Sequence, residues 1–221
     1  MLQLLHFPLC PFSRKVRLAV REKELPAELT LVEPWRSGDS LLAVNPAAEV
    51  PVLQDGELVV ADSAVICEYL DEVRPEPALI GKTPAERAET RRLVAWFDGK
   101  FVREVTDPIW REKLIKRIKH NETPDSCAVR VGLGNIDLHL AYIAYLFERR
   151  NWLAGEALSL ADIAAAAQLS VLDYMGDVPW DRHPGAKLWY SRIKSRPSFR
   201  PLLADRLPAL KPSDHYDDLD F

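Results

Sequence analysis

The sequence has no uncharged apolar run near the roughly 20 residues that a membrane-spanning helix needs. Pro8 and Pro11 interrupt the apolar stretch at the start, and no basic leader precedes it, so no signal peptide is expected. Cysteine is scarce: Cys10, Cys67 and Cys127 are widely spaced and odd in number, which implies no disulfide framework. These absences predict a reduced, cytoplasmic protein without membrane insertion.

Positive charge is not in excess either. The 29 Lys and Arg residues stand against 33 Asp and Glu residues, so the net charge is −4 and nucleic acid is not an expected partner. The five histidines show no paired ligand spacing, so no metal site is expected. The sequence GLG at 132–134 follows no predicted strand and is therefore not a phosphate loop.

The first third of the chain alternates strand and helix patterns. The predicted elements are a strand at 2–6, a helix at 13–23, a strand at 27–32, a short helix from about Asp39, two strands within 50–60, and a helix at 63–73. The strand–helix–strand order at the start predicts a parallel βαβ unit. Asp55-Gly56 predicts a type I′ hairpin between the two later strands.

The pattern changes after residue 74, where three prolines and a glycine occur within 74–84. From Pro84 to about Ser195 the periodicity is helical, and no strand is convincing. We therefore predict an α/β domain at 1–75, a linker at 76–84, an all-helical domain at 85–205 and an extended acidic and aromatic tail at 206–221.

Cys10, in the sequence CPFS, is the first candidate for chemistry. It precedes the first helix, where the macrodipole favours a thiolate, and Arg14 and Lys15 would add to that effect. Because Ser13 stands where a second cysteine would complete a dithiol, the thiol could attack an electrophile but could not close an internal disulfide. The alternative, a small residue filling a strand-to-helix turn with Ser13 as a helix cap, stays open.

Two further features allow both an ordinary and a functional interpretation. The Val50-Pro51 bond precedes a strand and is a candidate for the cis form, although trans is the commoner state. Asp62 and Ser63 begin a helix and can cap it, or can offer a site for a carboxylate.

Together these motifs resemble the thioredoxin-like half of a glutathione transferase. NWLAGEALSLADIAAAA at 151–167 resembles the C-terminal motif of that superfamily, with a capping box from Ser159 to Asp162. The resemblance implies a βαβαββα domain followed by an all-α domain. It also implies a glutathione site in which Val50, next to Pro51, pairs with the tripeptide backbone. Asp62 and Ser63 would hold its γ-glutamyl end, and Cys10 or Ser13 would face its sulfur.

The segment 111–120 combines basic residues with apolar residues at every fourth position. Trp110, Leu114 and Ile118 form the apolar series. The pattern is typical of a solvated helix face, and the alternative is a docking surface for an acidic partner.

The closing sequence HYDDLDF alternates acids with bulky apolar residues. Its members are Tyr216, Asp217, Asp218, Leu219, Asp220 and Phe221. A disordered tail usually lacks such apolar anchors, so the segment is expected to dock on its own fold, on a second copy or on another protein. Its acids are complementary to the basic 111–119 segment, which makes that helix one candidate resting place.

The sequences PDSCAVRVG (124–132), LDYMGDVPWDR (172–182), 187–208 and the tail resemble the FzlA family. The resemblance implies a non-catalytic, homodimeric cell-division protein that binds FtsZ filaments and modulates their curvature and bundling at the division site. It implies partner contacts from Trp35, in the EPWRSGD loop, and from the tail residues Tyr216, Asp218, Leu219, Asp220 and Phe221. No cofactor would then be required. The alternative is a glutathione transferase or thiol oxidoreductase that uses glutathione through Cys10, with Ser13 nearby.

Overall fold

The computed structural model describes residues 1–208 and 210–219. Its first part contains β1 (Leu2–His6), α1 (Pro11–Glu22), β2 (Ala27–Leu31), α2 (Gly38–Val44), β3 (Val52–Asp55), β4 (Leu58–Ala61) and α3 (Ser63–Val73). The strands form one sheet in the order β2-β1-β3-β4. β1 and β2 are parallel, and the β1–β3 and β3–β4 pairs are antiparallel. The predicted elements and the parallel βαβ unit are confirmed.

The hairpin between β3 and β4 differs from its prediction. Asp55 pairs with Leu58, so the two-residue loop is Gly56-Glu57. Only Gly56 has a positive φ, at 60°, whereas a type I′ turn needs positive φ at both loop residues. The turn therefore follows the type II′ pattern, because the strand continues through Asp55 and shifts the loop by one residue.

The remainder of the described chain is helical. Its elements are α4 (Pro84–Ala95), a π-type helical segment (Trp96–Ile115), α5 (Lys116–His120), α6 (Ser126–Phe147), α7 (Leu160–Tyr174), a short 3-10 turn (Trp180–Arg182), α8 (Pro184–Lys194) and α9 (Arg200–Leu203). The first three follow one another without a break, and Pro108 lies inside the π-type segment.

Helix α7 is the centre of the fold, because all of its residues are buried. Its four consecutive alanines, 164–167, let α1, α4 and the π-type segment pack closely around it. The predicted capping box at its start is confirmed: Asp162 accepts bonds from the backbone N–H of Ser159 (3.1 Å) and from its hydroxyl (3.0 Å). Asp162 also accepts bonds from the Leu153 N–H and the Trp189 indole, so it ties the preceding loop to α8.

A single apolar cluster joins the sheet domain to the helical domain. It includes Leu4 of β1, Leu18 of α1 and Leu70 of α3, together with Phe97 and Ile163 from the helical part. The two parts of the chain therefore share one core and pack as one body.

His6, at the end of β1, is buried, and its Nδ1 atom has no hydrogen-bond partner in the described part of the chain. Burial, together with the charge of Arg17, lowers the pKa of His6 from its ordinary 6.5 to about 4, and Asp205 opposes the shift. The folded protein therefore holds His6 neutral at pH values where the unfolded chain protonates it.

We expect this histidine to make stability depend on pH in a defined window. Because the folded pKa is depressed, the unfolded state binds the proton more tightly, and stability falls as the pH drops from about 6.5 to about 4. His6 alone should contribute a loss of about 3 kcal/mol over that window. The contribution of His6 is measured by urea unfolding of the wild type and of His6→Gln at several pH values. Equal slopes in the two proteins would contradict the assignment.

Candidate functional site

Cys10 lies in the turn between β1 and α1 and is only 6 % exposed. Its Sγ atom is 3.8 Å from the carbonyl oxygen of Val50. Burial raises the pKa of the Cys10 thiol above its ordinary value; bonds from Ser13 and Phe12 oppose the shift, and Glu49 adds to it. The site therefore favours a protonated thiol rather than the reactive thiolate.

The predicted support from Arg14 and Lys15 is wrong, because both side chains point elsewhere. The Arg14 guanidinium bonds to Ser170, Asp205 and Tyr216. The Lys15 ammonium pairs with Asp98 of the π-type segment. Sequence spacing along α1 placed both cations near Cys10, but their long side chains follow the helix surface toward the helical domain.

A shallow groove of about 270 Å³ lies beside the cis Val50-Pro51 bond. We call it the Val50 groove; its lining residues are Phe12, Asn45, Ala47, Glu49, Val50, Pro51, Ala61, Asp62 and Ser63. It therefore brings together the predicted residues Val50, Pro51, Asp62 and Ser63. The Asp62 carboxylate accepts bonds from Ala64 N (2.7 Å) and Val65 N (3.2 Å), which makes it the cap of α3.

A second apolar cluster fills the space next to Cys10, between the sheet domain and the helices. We call it the cleft cluster; its buried members are Phe7, Leu9, Cys10, Leu114, Tyr174 and Tyr216. Trp35, Trp110 and Ile118 pack against it and are partly buried. The Trp110 indole donates a 2.6 Å bond to the carbonyl of Leu9 and fixes the helix to the turn before Cys10.

Trp35 is half-buried rather than fully exposed. Its ring packs edge-on against Phe7, with ring centroids 5.0 Å apart. Its indole N–H is buried and has no partner among residues 1–208 and 210–219. One part of the ring thus anchors the loop after β2, and the rest remains at the surface.

The tail docks on its own fold, which is one of the three predicted resting places. Tyr216 is completely buried, and its ring packs edge-on against Tyr174 at 5.0 Å. Its hydroxyl accepts a 2.9 Å bond from Arg14 and donates a 3.1 Å bond to the carbonyl of Leu202. Tyr216 therefore has no exposed surface to offer a partner in this structure and holds the tail on the fold instead.

Asp173, at the end of α7, is a second anchor for the tail. Its carboxylate is fully buried, accepts bonds from the Trp180 indole (2.8 Å) and the Tyr190 hydroxyl (3.3 Å), and pairs with His215 at 2.9 Å. The buried ammonium of Lys194 lies 3.5 Å away. Burial lowers the pKa of Lys194, and Asp173 opposes the shift.

The exposed tail acids Asp217 and Asp218 lie near two cations, one at the start of the tail and one in α8. Asp217 pairs with Arg206 at 2.5 Å, and Asp218 lies close enough to act on the charge of Lys194. Leu219 is partly exposed. Asp220 and Phe221, also predicted as partner contacts, lie outside the described residues.

Asp217 does not rest on the basic 111–119 segment, as its charge had predicted, but bonds to Arg206. Three cations of the segment pair with other acids. These pairs are Arg111 with Asp107, Lys113 with Asp177, and Lys116 with Glu112. The apolar face of the segment packs into the cleft cluster, which leaves its charged face turned away from Tyr216.

Asp173 and Lys194 were not predicted to have a role, and Arg14 was predicted only as support for Cys10. Each is a charged residue with a buried side chain, a rare state that requires a paired, hydrogen-bonded environment. Charge identity alone could not reveal them, because charged residues at helix positions are usually exposed.

Comparisons with known proteins follow the same division of the chain. Residues 9–73 match the model of the glutathione S-transferase N-terminal domain, and residues 116–197 match that of the C-terminal domain. A solved glutathione S-transferase from Rhodospirillum rubrum F11 superposes with a TM-score of 0.98 at 54 % identity, covering 100 % of both chains. FzlA from C. crescentus superposes with a TM-score of 0.96 at 49 % identity, covering 100 % of this chain and 99 % of that one.

Among curated proteins, FtsZ-localized protein A of Caulobacter vibrioides is 50 % identical over 220 residues, which cover 98 % of this chain and 96 % of that protein. Glutathione S-transferase omega-2 of Mus musculus is 27 % identical over 200 residues, covering 89 % and 76 %.

The sheet order, the helical domain and both matches define a member of the glutathione transferase superfamily. Within it, the chain belongs to the family of FtsZ-localized protein A, FzlA.

The Val50 groove lacks a reactive sulfur partner for glutathione catalysis. Its nine lining residues include the acids Glu49 and Asp62, which suit the ammonium of a γ-glutamyl end, and no cation for the carboxylates of the tripeptide. Asp62 already occupies the start of α3 with its own carboxylate. Cys10 is not among the lining residues, and its raised pKa disfavours sulfur chemistry.

No metal-binding group of three or more His, Cys, Asp or Glu side chains occurs among the described residues. In the same part of the chain, no helix is both long and apolar enough to cross a membrane.

Cys10 should react slowly with alkylating reagents. Its thiol is buried and its pKa raised, and each unit of such a shift lowers the thiolate fraction near neutral pH about tenfold. Because Cys127 is exposed and Cys67 is buried with a pKa of about 12, the measurement uses Cys127→Ser. Alkylation at pH 7.5, located by mass spectrometry, should be at least about tenfold slower in the native than in the urea-unfolded variant. Equal rates at Cys10 would contradict the burial argument.

Proposed function

We propose that this chain is a non-catalytic cell-division protein that binds FtsZ filaments. In this proposal it acts in the cytoplasm at the division site, as a homodimer, and modulates filament curvature and bundling during constriction. The observation that carries the proposal is the 50 % identity to FtsZ-localized protein A along 98 % of the chain. The relative's name places that protein with FtsZ; binding and curvature are our extension.

The cleft cluster and the Val50 groove favour a binding role for this chain rather than a glutathione reaction. A glutathione reaction through Cys10 needs an accessible, ionisable thiol beside an open groove. Here Cys10 is buried in the cleft cluster, and the lining of the Val50 groove carries acids without a compensating cation. The proposal therefore requires no glutathione, although the groove leaves a non-catalytic ligand possible.

The cleft cluster also supports a single partner surface built from distant parts of the chain. Trp35 and Tyr216 are far apart in sequence, yet both pack into this cluster. Trp35 retains exposed area, and Asp217 and Asp218 remain at the surface beside the buried Tyr216. The two segments predicted to contact a partner are thus organised by the same apolar contacts.

A homodimer would present this surface twice. Two sites that engage the same filament, or neighbouring filaments, bind with an increased effective concentration without any new contact. Bridging of neighbouring filaments gives bundling, and engagement of successive subunits at a fixed angle gives curvature.

Removal of the tail is a poor test of this proposal. A chain that ends at Asp214 would lose Tyr216, which leaves a cavity in the cleft cluster and removes a hydrogen bond from the buried Arg14. Lost filament binding would then follow from altered folding as easily as from lost contacts. Point substitutions at the surface separate the two causes.

The first substitution is Trp35→Ala. If the exposed part of the ring is a central contact, its removal should raise the Kd for GTP-polymerised FtsZ about 30-fold, a typical cost for an aromatic hot spot. Trp35→Phe is the matched control, because it keeps a ring against Phe7 and should lose less. Co-sedimentation with GTP-polymerised FtsZ measures the Kd of both variants. Unchanged pelleting of Trp35→Ala would exclude Trp35 from the interface.

The second substitution is Asp218→Lys. A charge reversal at an exposed interfacial acid should weaken pelleting by FtsZ polymer about tenfold, and more strongly at low salt. Asp214→Lys makes the same change at a fully exposed tail position outside the predicted contact residues, so its binding should stay near that of the wild type. Equal behaviour of the two variants would refute a specific role for Asp218. No pelleting even by the wild type would refute the proposed function, and glutathione calorimetry with a Cys10→Ser control would follow.

A further inference from the structure

Strand β2 lies at one edge of the sheet, with β1 on one side and no described strand on the other. The Val32 N–H, just after β2, donates to the carbonyl of His6 in β1 (2.8 Å), which fixes the alternation along the strand. The N–H and C=O groups of Thr30 therefore also face β1, and those of Leu29 and Leu31 face outward. No backbone bond within the described part of the chain uses these outward groups.

This edge lacks the features by which proteins usually prevent a further strand from pairing. Edge strands are commonly protected by lysine, by proline or by a bulge. The sequence of β2, AELTL, contains neither lysine nor proline, and it pairs with β1 residue for residue, so it has no bulge. Leu29 is 43 % exposed and Leu31 62 %, although leucine is usually buried. The edge is therefore both open and apolar.

A groove of about 360 Å³ continues this edge on the face of the sheet that α1 covers. We call it the β2 groove; its apolar lining includes Val20 of α1, Leu25, Leu29 of β2, and Pro201 and Leu202 of α9. Because the side chains of a strand alternate between its two faces, every second side chain of a strand added to β2 would point to the face that carries the groove. The groove therefore offers an apolar site to a side chain of such a strand.

An unpaired cation lies beside this apolar lining. Arg17 and Arg21 of α1 both line the groove. Asp205 already pairs with Arg17 (2.8 Å), whereas Arg21 is exposed and forms no ion pair in the part of the chain that the structure describes. Glu28 is the acid of the lining, but it belongs to the opposite face of β2 from Leu29. An acidic residue of the added strand, on the face toward α1, would be complementary to Arg21.

We propose that the β2 edge and the β2 groove bind an extended segment of a partner protein, which adds to the sheet as a fifth strand. The segment carries an apolar residue for the groove and an acidic residue within reach of Arg21. A helix does not fit, because its backbone groups are bonded internally and cannot satisfy those of Leu29 and Leu31.

This site goes beyond the proposed FtsZ-binding function. None of the residues that line the β2 groove belongs to the cleft cluster or to the tail. The experiments below use no FtsZ, so lost FtsZ pelleting would refute the proposed function alone, and the results below would refute the strand site alone.

Selection from a phage-displayed library of short random peptides tests the site. The library is selected on the purified full chain and counter-selected on Leu29→Arg, which places a long charged side chain in the groove. Peptides that survive both steps need the groove. They should share apolar residues at alternate positions and an aspartate or glutamate. A selection that yields no such sequences would overturn the proposal.

Charge reversal tests the match to Arg21. The Kd of a selected peptide, labelled with fluorescein, is measured by fluorescence anisotropy. Arg21→Glu should raise that Kd about tenfold, and by less at high salt, because an attraction between exposed charges becomes a repulsion. Arg74→Glu is the matched control, since it reverses an exposed arginine outside the groove and should bind like the wild type. Equal Kd values for the two variants would refute the acidic partner.

Methylation of the peptide backbone tests the strand pairing. Methyl groups on every second amide nitrogen should abolish binding in one of the two alternating patterns and leave it nearly unchanged in the other, because only alternate amides face β2. The same loss from both patterns, or no loss from either, would exclude strand addition. This measurement uses the wild-type protein and therefore does not depend on the folding of any variant.

Leu31→Pro tests the same pairing from the side of the protein. It removes one outward N–H and leaves the bonds to β1 in place, so it should raise the Kd of the peptide about tenfold relative to Leu31→Ala, the control for the lost side chain. An equal Kd for the two variants would contradict the pairing. If Leu31→Pro lowers the mass of the chain in sedimentation equilibrium, a second copy pairs with this edge, and the proposed partner is wrong.

Discussion

The buried guanidinium of Arg14 is the interaction on which the arrangement of the cleft depends. It donates to the Pro8 carbonyl in the sheet domain, to Ser170 in α7, to Asp205 after α9 and to the Tyr216 hydroxyl in the tail. Burial disfavours its charge, but Tyr216 and Asp205 raise its pKa. Such a charge is tolerated inside a protein only when its donors are satisfied, so the four segments must meet around it.

This constraint explains why the turn that holds Cys10 lacks the surroundings of a reactive thiol. The cations that sequence spacing assigned to Cys10 serve instead to join domains: Arg14 organises the tail, and Lys15 pairs with Asp98. The tail then places Tyr216 in the cleft cluster beside the turn that holds Cys10. Structural use of the cations and burial of the thiol are thus two results of the same packing.

Local sequence patterns sufficed for most of the fold, because each strand, cap and helix of the first domain is specified by neighbouring residues. The Ser159–Asp162 capping box and the Asp62 cap are examples. The directions in which side chains point were harder to predict from the sequence. The path of Arg14 depends on Ser170 and Tyr216, which lie 156 and 202 residues away, and no local pattern encodes such contacts. For the same reason, the apolar residues of the tail could be recognised as anchors, but the place where they dock could not be predicted. The hairpin turn was predicted one residue too early, because the strand continues through Asp55.

The position of Tyr216 in chain order has a consequence for synthesis. The residues that surround the Tyr216 ring all precede it in the chain. The helices that carry them can therefore form before Tyr216 docks. Until the tail emerges, Arg14 lacks the Tyr216 hydroxyl as an acceptor, and the cleft cluster lacks one of its largest members. A nascent chain can therefore form its main core while the cleft cluster is still open to water. The surface beside Trp35 and the tail becomes complete only when Tyr216 has docked.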